Sequence, residues 1–350
     1  RLDRALERLV AAPGGPPGAI AVVRRGSRRV VLDQGVRDLR TRRRIALGDR
    51  WRIASVSKAF SGAVALRLVE QGRLSLDDTI AGRLPGLPAA WGAVTLAQLL
   101  QHTSGLPDYS ADPAFARDLG ADPRRPVMPR TLIDYVAGQP LRFAPGSAYR
   151  YSNTDNVVVA LFAEAATGLS YERVLSHLVL DPLALRRTSM PLGWRMPAPY
   201  VHGYDNNARG PREDASELVN MSQIWASGGL VSAPLDLGVF ARAYAGGRLF
   251  GGAARRAQLT TFRPGSSDPV GPGVNEAGLG IFRYRTSCGV VYGHTGTFLG
   301  YTTFMGATAD GRRSATVQVS TQLDPVHGER AAVRALRRAF DRAACAALAR

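Results

Sequence analysis

In the stretch "SVSK", Ser55 stands three residues before Lys58, and Lys58 is the only lysine in a chain whose 45 basic residues are otherwise arginine. An arginine stays protonated in a protein, whereas a buried lysine can give up its proton. A lysine against that background points to a task that needs a neutral amine. Residues i and i+3 of a helix share a face, so the amine sits beside the hydroxyl if this stretch is helical. A serine becomes a nucleophile when a base takes its proton, and desolvation can lower a lysine pKa far enough for that work. If Ser55 opens the helix, the amides and dipole at that end also favour the negative charge that develops on attack. Chance alone places a serine three residues before a lone lysine in roughly one chain in fifteen, so the pair needs partners.

Two further stretches supply them. "YRYSNTDN" sets Tyr151 and Asn153 two residues apart, and in an extended chain both face the same way. A phenol can pass a proton, and an amide can hold a substrate carbonyl or the lysine amine. "GHTGTFLG" carries His294, Thr295, Gly296 and Thr297, and glycines at 293, 296 and 300 mark a strand that another backbone approaches closely. A peptide-like substrate can add along such a strand, with Thr295 or Thr297 on its carboxylate and a main-chain amide facing the reacting carbonyl. Trp225, beside "ASGG", belongs either to the cleft wall or to the core. No GxSxG, HExxH or phosphate-loop motif competes with this constellation, and no cofactor or metal is expected.

The elements that must position these residues follow from periodicity. Residues 2–11 read as an amphipathic helix, then "AIAVVRRG" and "RRVVLDQGV" as a hairpin turning at Gly26 and Ser27. Residues 55–70 read as a helix. The stretch from about 76 to 272 is rich in loops and helices, the clearest being "TLAQLLQHTSGLP" and "TDNVVVALFAEAATGLS", each closing at a glycine. Strands return in "GLGIFRYR", "GVVYGHTG" and "YTTFMGATADGRRSATVQVST", with Asp310 and Gly311 as a turn, and the chain closes on a helix. Strands so far apart must share a sheet. The expected fold is therefore α+β: an antiparallel sheet flanked by helices from residues 1–75 and 275–350, a mostly helical region at 76–274, and the site at their seam.

Composition bounds the function. The 350 residues are 45% hydrophobic and 21% charged, a globular balance. No apolar run reaches the roughly 18 residues of a membrane span. The net charge of +17 includes eleven arginines between Arg24 and Arg52, but their strand-like spacing reads as a solvated sheet face. No nucleic-acid motif or stacking pattern accompanies them, so nucleic acid is not an expected partner, and weak attraction to an anionic cell envelope ranks only somewhat above it. Cys288 and Cys345 fit no zinc or CxxC pattern and are either two buried thiols or one disulfide. The chain starts without methionine on an amphipathic helix, and a removed leader is the expectation.

Together "SVSK", "YSN" and "HTG", in this order, resemble the serine β-lactamase and penicillin-binding protein family. The likeness extends through "LLQHTSGLPDY", "FAPGSAYRYSN", "SGGLVSAPLDL" and "GLGIFRYRTSCGVVYGHTGTFLGY", and is strongest toward secreted D-alanyl-D-alanine carboxypeptidases. The resemblance implies that Ser55 is acylated, Lys58 is its base, and Tyr151 protonates the leaving group and activates the deacylating water. Asn153 would orient substrate, His294 would tune Tyr151, and the amides of Ser55 and Thr297 would form the oxyanion hole. It also implies a Cys288–Cys345 disulfide, a secreted monomer, a small peptide or peptidoglycan stem peptide as substrate, and β-lactams as covalent inhibitors. One departure stands out. Those carboxypeptidases bind the substrate carboxylate with an arginine whose ungapped match here is Phe282. Arg283 is one residue away, on the opposite strand face. Either a bulge brings Arg283 or Arg285 into the site, or the substrate differs. The expectation is a D,D-carboxypeptidase. The alternatives are an esterase, β-lactamase, D-aminopeptidase or peptide-cyclising acyltransferase on the same scaffold, or a non-catalytic penicillin- or wall-binding protein.

Overall fold

The β-prone runs near the two ends of the chain meet in one antiparallel sheet of eight strands, in a computed structural model that describes residues 1–205, 211–326 and 328–349. β1 (Gly18–Arg25) and β2 (Arg28–Gly35) form the N-terminal hairpin. A separate short ladder joins β3 (Trp51–Arg52) to β4 (Val231–Ser232). β5 (Arg263–Pro264), β6 (Val274–Ala277), β7 (Phe282–Thr286), β8 (Gly289–Phe298), β9 (Tyr301–Ala307) and β10 (Arg313–Val319) complete the large sheet in the order β2-β1-β10-β9-β8-β7-β6-β5. Within residues 76–274 helices are the main regular structure but long loops take more of the chain, which also supplies β4 and β5.

Helices cover both faces of the sheet, which is why β1 is buried continuously from Gly18 to Val23 instead of alternating. On one face lie the helices Leu2–Val10 and Arg330–Leu348. Leu6 and Leu9 of the first and Leu336 and Phe340 of the second recur every three or four residues and pack on Ala21, Phe304 and Val317. A disulfide between Cys288 and Cys345, with Cα atoms 5.2 Å apart, ties the β7–β8 turn to the last helix, and no free cysteine remains. On the other face the Ser57–Glu70 helix is buried on nearly every side, among Val157 and Phe162 of the Asn153–Thr167 helix and Phe240 of the Pro234–Gly246 helix. No described helix is long and apolar enough to cross a membrane.

Two elements depart from their sequence reading. Ser55 lies in a 3-10 turn, Ala54–Val56, ahead of the helix proper, and Ala54 takes a left-handed φ of +46°. The helix in "TLAQLLQHTSGLP" opens with a Thr95–Gln98 capping box but stops at Leu100, well before Gly105. The chain turns instead at His102, φ +58°, whose ring is anchored on Asp155 at 2.9 Å. The Asn153–Thr167 helix closes at Gly168, φ +71°, as the sequence predicts.

Candidate active site

The turn that carries Ser55 is clamped from outside. The β3–β4 ladder extends into a bond from Ile53 N–H to the Leu230 carbonyl at 3.1 Å, and Leu230 N–H donates to Ser57 Oγ at 3.1 Å. These contacts hold the left-handed Ala54 in place, an energetically costly conformation that persists only where its surroundings over-determine it. They also set the single helical turn Trp225–Gly228 beside this one, with Gly228 facing Ala54.

Lys58 is fully buried, and its Nζ donates to Ser55 Oγ at 3.0 Å, Asn153 Oδ1 at 2.7 Å and the Ser227 carbonyl at 2.7 Å. Two of these partners are carbonyl oxygens, which only accept, so they hold two amine hydrogens in either protonation state. In the ammonium the third hydrogen lies toward Ser55. In the neutral amine the lone pair occupies that direction, ready to take the hydroxyl proton. Burial pushes the Lys58 pKa down to about 7, against the opposing pull of Asp108, Asp155 and Asp268. Asn153 is held for its role by its own donors, with Nδ2 bonding Ser110 Oγ at 2.8 Å and Asp108 Oδ2 at 3.2 Å.

Tyr151 packs beside this pair, with Lys58 Nζ 4.9 Å from its ring centre. Burial raises the phenol well above its ordinary pKa, so Tyr151 is neutral, and its buried hydroxyl has no hydrogen-bond partner among the described residues. Two imidazoles flank it, His102 with ring centres 4.4 Å apart and His294 at 6.4 Å. Burial lowers both histidines to about 3. Both are uncharged near neutrality.

β7 pairs with β8 only as far as Gly293, so residues 294–298 of β8 keep β9 on one side and turn the other toward Ser55. A Cβ at Gly296 would stand 2.5 Å from the Ile53 carbonyl and 2.7 Å from the Ser55 nitrogen. Only glycine permits that approach. Ser55, Tyr151, Asn153 and Thr297 then line one cleft of about 460 Å³. A nucleophile paired with a buried amine that titrates near neutrality, beside a neutral phenol and a strand edge, is the equipment for acyl transfer.

The family model described as Beta-lactamase matches residues 2–339. The chain belongs to the beta-lactamase family. It is 25% identical over 314 residues to Penicillin-binding protein 4* of Bacillus subtilis (strain 168), covering 86% of this chain and 67% of that protein. Among solved structures it resembles a D-stereospecific amidohydrolase from Streptomyces sp., with a TM-score of 0.81 and 32% identity over 95% of this chain and 96% of the other. It also resembles the D-amino acid amidase from Ochrobactrum anthropi SV3 complexed with L-phenylalanine amide, with a TM-score of 0.86, 23% identity and 99% and 97% coverage. The last likeness is one of fold. Other curated relatives are much longer than this chain, which spans as little as a third of their length. The fold is that of the β-lactamases and transpeptidases, and the chain is a serine hydrolase of the beta-lactamase family.

Within that family frame, some residues singled out from the sequence lie elsewhere. β7 runs opposite β8 residue for residue from Phe282 to Thr286, so no bulge re-aims it. Phe282 packs edge-on against His294, with ring centres 5.0 Å apart. Arg283 is not in the cleft: its guanidinium lies over the Phe262 ring and bonds Glu276 at 2.6 and 2.7 Å, and Arg285 shares that carboxylate. Trp225 belongs to the core, with Nε1 donating to Glu172 at 2.7 Å and its ring against Tyr171. Thr295 is buried behind the strand, bonding Ser267 and the Pro269 carbonyl at 2.5 Å each. Conversely, Asp108, Asp268 and Asp324 line the cleft beside an apolar wall of Phe115, Ile224 and Leu299. Asp108 falls in "LLQHTSGLPDY", which already carried the family likeness. Asp268 and Asp324 sit in loops with no motif to announce them.

Proposed function

We propose that the protein is a serine amidohydrolase acting on amides or short peptides of D-amino acids that carry a free α-amino group, through an acyl-enzyme on Ser55. The observation that carries this reading is the charge of the cleft. Its described lining contains three carboxylates, Asp108, Asp268 and Asp324, and no arginine, lysine or histidine, in a chain of net charge +17. A substrate ammonium is stabilised there, whereas the terminal carboxylate of a D-alanyl-D-alanine stem meets like charge and no arginine. The apolar wall suits a hydrophobic side chain. The D configuration rests on the likeness to the Streptomyces amidohydrolase, 32% identical over 95% of this chain.

In this reaction neutral Lys58 takes the Ser55 proton while Oγ attacks the amide carbon. The amides of Ser55 and Thr297 face the developing oxyanion. The C–N bond breaks as Tyr151 gives its proton to the departing amine and recovers one from Lys58. Water activated by the same groups then hydrolyses the ester. The disulfide supports a location outside the cytoplasm.

The test compares kcat/KM for an apolar D-amino acid amide, its N-acetyl derivative, its L enantiomer and diacyl-D-Ala-D-Ala. The free-amine D-amide is expected to lead, and N-acetylation, which removes the positive charge that the acidic lining attracts, to lower kcat/KM about a hundredfold or more. Faster release of D-alanine from the N-blocked, carboxylate-ended peptide would overturn the assignment in favour of a carboxypeptidase.

A further inference from the structure

A second and larger concavity, about 810 Å³, lies on the opposite side of the sheet from the helical region, between the helices Leu2–Val10 and Arg330–Leu348. It shares no residue with the cleft. Arg4 and Arg8 stand on one ridge, and Arg334, Arg338 and Arg342 on the other. All five are exposed, and none takes part in an ion pair among the described residues. Among the described residues that line the groove, Asp341 is the only acidic one. Ala5, Ala331 and Ala335 form a low floor between the ridges. The Cys288–Cys345 disulfide fixes one wall to the sheet.

We propose that this groove binds a linear polyanion whose acidic groups are phosphodiesters, such as a polyol-phosphate chain. Each i, i+4 step along a helix advances about 6 Å, so Arg334, Arg338 and Arg342 form a row of guanidinium forks spaced to meet successive phosphates of an extended chain. Arginine's planar fork grips phosphate oxygens in pairs, and its weak hydration makes the exchange of water for phosphate less costly than for lysine. Two facing ridges around a low floor enclose a thread, whereas a flat bilayer would touch only their crests. No aromatic side chain is among the described residues that line the groove, so the bases of a single-stranded nucleic acid find nothing there to stack on.

The experiment measures the Kd of the intact protein for a synthetic poly(glycerol phosphate) oligomer over a range of salt, beside a single-stranded DNA oligonucleotide of equal charge and vesicles containing phosphatidylglycerol. Charge reversal in Arg334→Glu/Arg338→Glu is expected to weaken oligomer binding at least about tenfold and to flatten the log–log salt slope by about 1.4, from about 0.7 per lost phosphate contact. The milder Arg334→Gln/Arg338→Gln is expected to give a smaller loss of the same sign. Reversal at a control pair on the N-terminal hairpin, Arg28→Glu/Arg29→Glu, is expected to change Kd less than about twofold. Hydrolysis of the amide substrate stays at the wild-type rate in the groove variants, and Ser55→Ala binds the oligomer normally, so failure here and failure of the catalytic reading are distinct. Equal losses from the groove and control pairs, or tighter binding of DNA or vesicles that depends on the groove arginines, would overturn the proposal.

Discussion

At the residue scale, the oddity of a single lysine has a physical explanation in the geometry around it. Asn153 Oδ1 and the Ser227 carbonyl pin two hydrogens of Lys58, and burial lowers its pKa to about 7, so the remaining valence serves Ser55. An arginine keeps the charge but cannot become neutral. Lys58→Arg is therefore expected to fall as far as Lys58→Ala in kcat, by about a thousandfold or more, and recovery of activity in the arginine variant would count against Lys58 as base. Ser55, Lys58, Tyr151 and Asn153 were legible because their order and spacing are themselves the signal. His102 was not, since its anchor Asp155 lies 53 positions away and only folding brings the two within 2.9 Å. The acidic character of the cleft was equally hidden, because Asp108, Asp268 and Asp324 come from three separate loops.

At the element scale, the site depends on one strand edge and one strained turn meeting without side chains between them. The contacts a Cβ would make at Gly296 are with backbone atoms of Ile53, Ser55 and Val56, none of which can rotate away. Gly296→Ala is expected to push β8 back from Ser55 and cost about a hundredfold or more in kcat/KM, the scale of a 1 Å misplacement, while far-ultraviolet circular dichroism stays native. Near-wild-type turnover in that variant would refute the close approach. Arg283→Ala tests the opposite inference. It frees part of the Arg283–Glu276–Arg285 cluster, and because Arg283 lies off the cleft, turnover should change less than about threefold. These two arginines hold the Glu276 pKa down to about 2. Their contribution to stability is fully present above the ordinary carboxylate pKa of about 4.3 and is lost as pH falls toward 2. The hairpins, the buried Ser57–Glu70 helix and the amphipathic ends were readable from periodicity. The early stop at Leu100 was not, because a tertiary anchor at His102 overrides the glycine that the sequence offered as a helix end.

At the scale of the whole molecule, an acidic cleft opens in a chain of net charge +17. The overall field repels a cationic substrate that the cleft itself favours. Raising salt shortens the Debye length from about 30 Å at 0.01 M to about 8 Å at 0.15 M, which weakens the distant repulsion more than the contacts within the cleft. kcat/KM for the free-amine amide should therefore rise a few-fold across that range, while phosphodiester binding at the terminal helices weakens. Steady-state kinetics at two ionic strengths checks the sign. The central claim, a nucleophilic Ser55 armed by a buried lysine, is tested most directly by mass spectrometry of the intact protein and of its proteolytic peptides after reaction with a fluorophosphonate. The account predicts one adduct on the Ser55 peptide, none in Ser55→Ala, and a labelling rate that rises with pH about a midpoint near 7. An adduct that persists in Ser55→Ala, or a rate with no inflection near that pH, would contradict it.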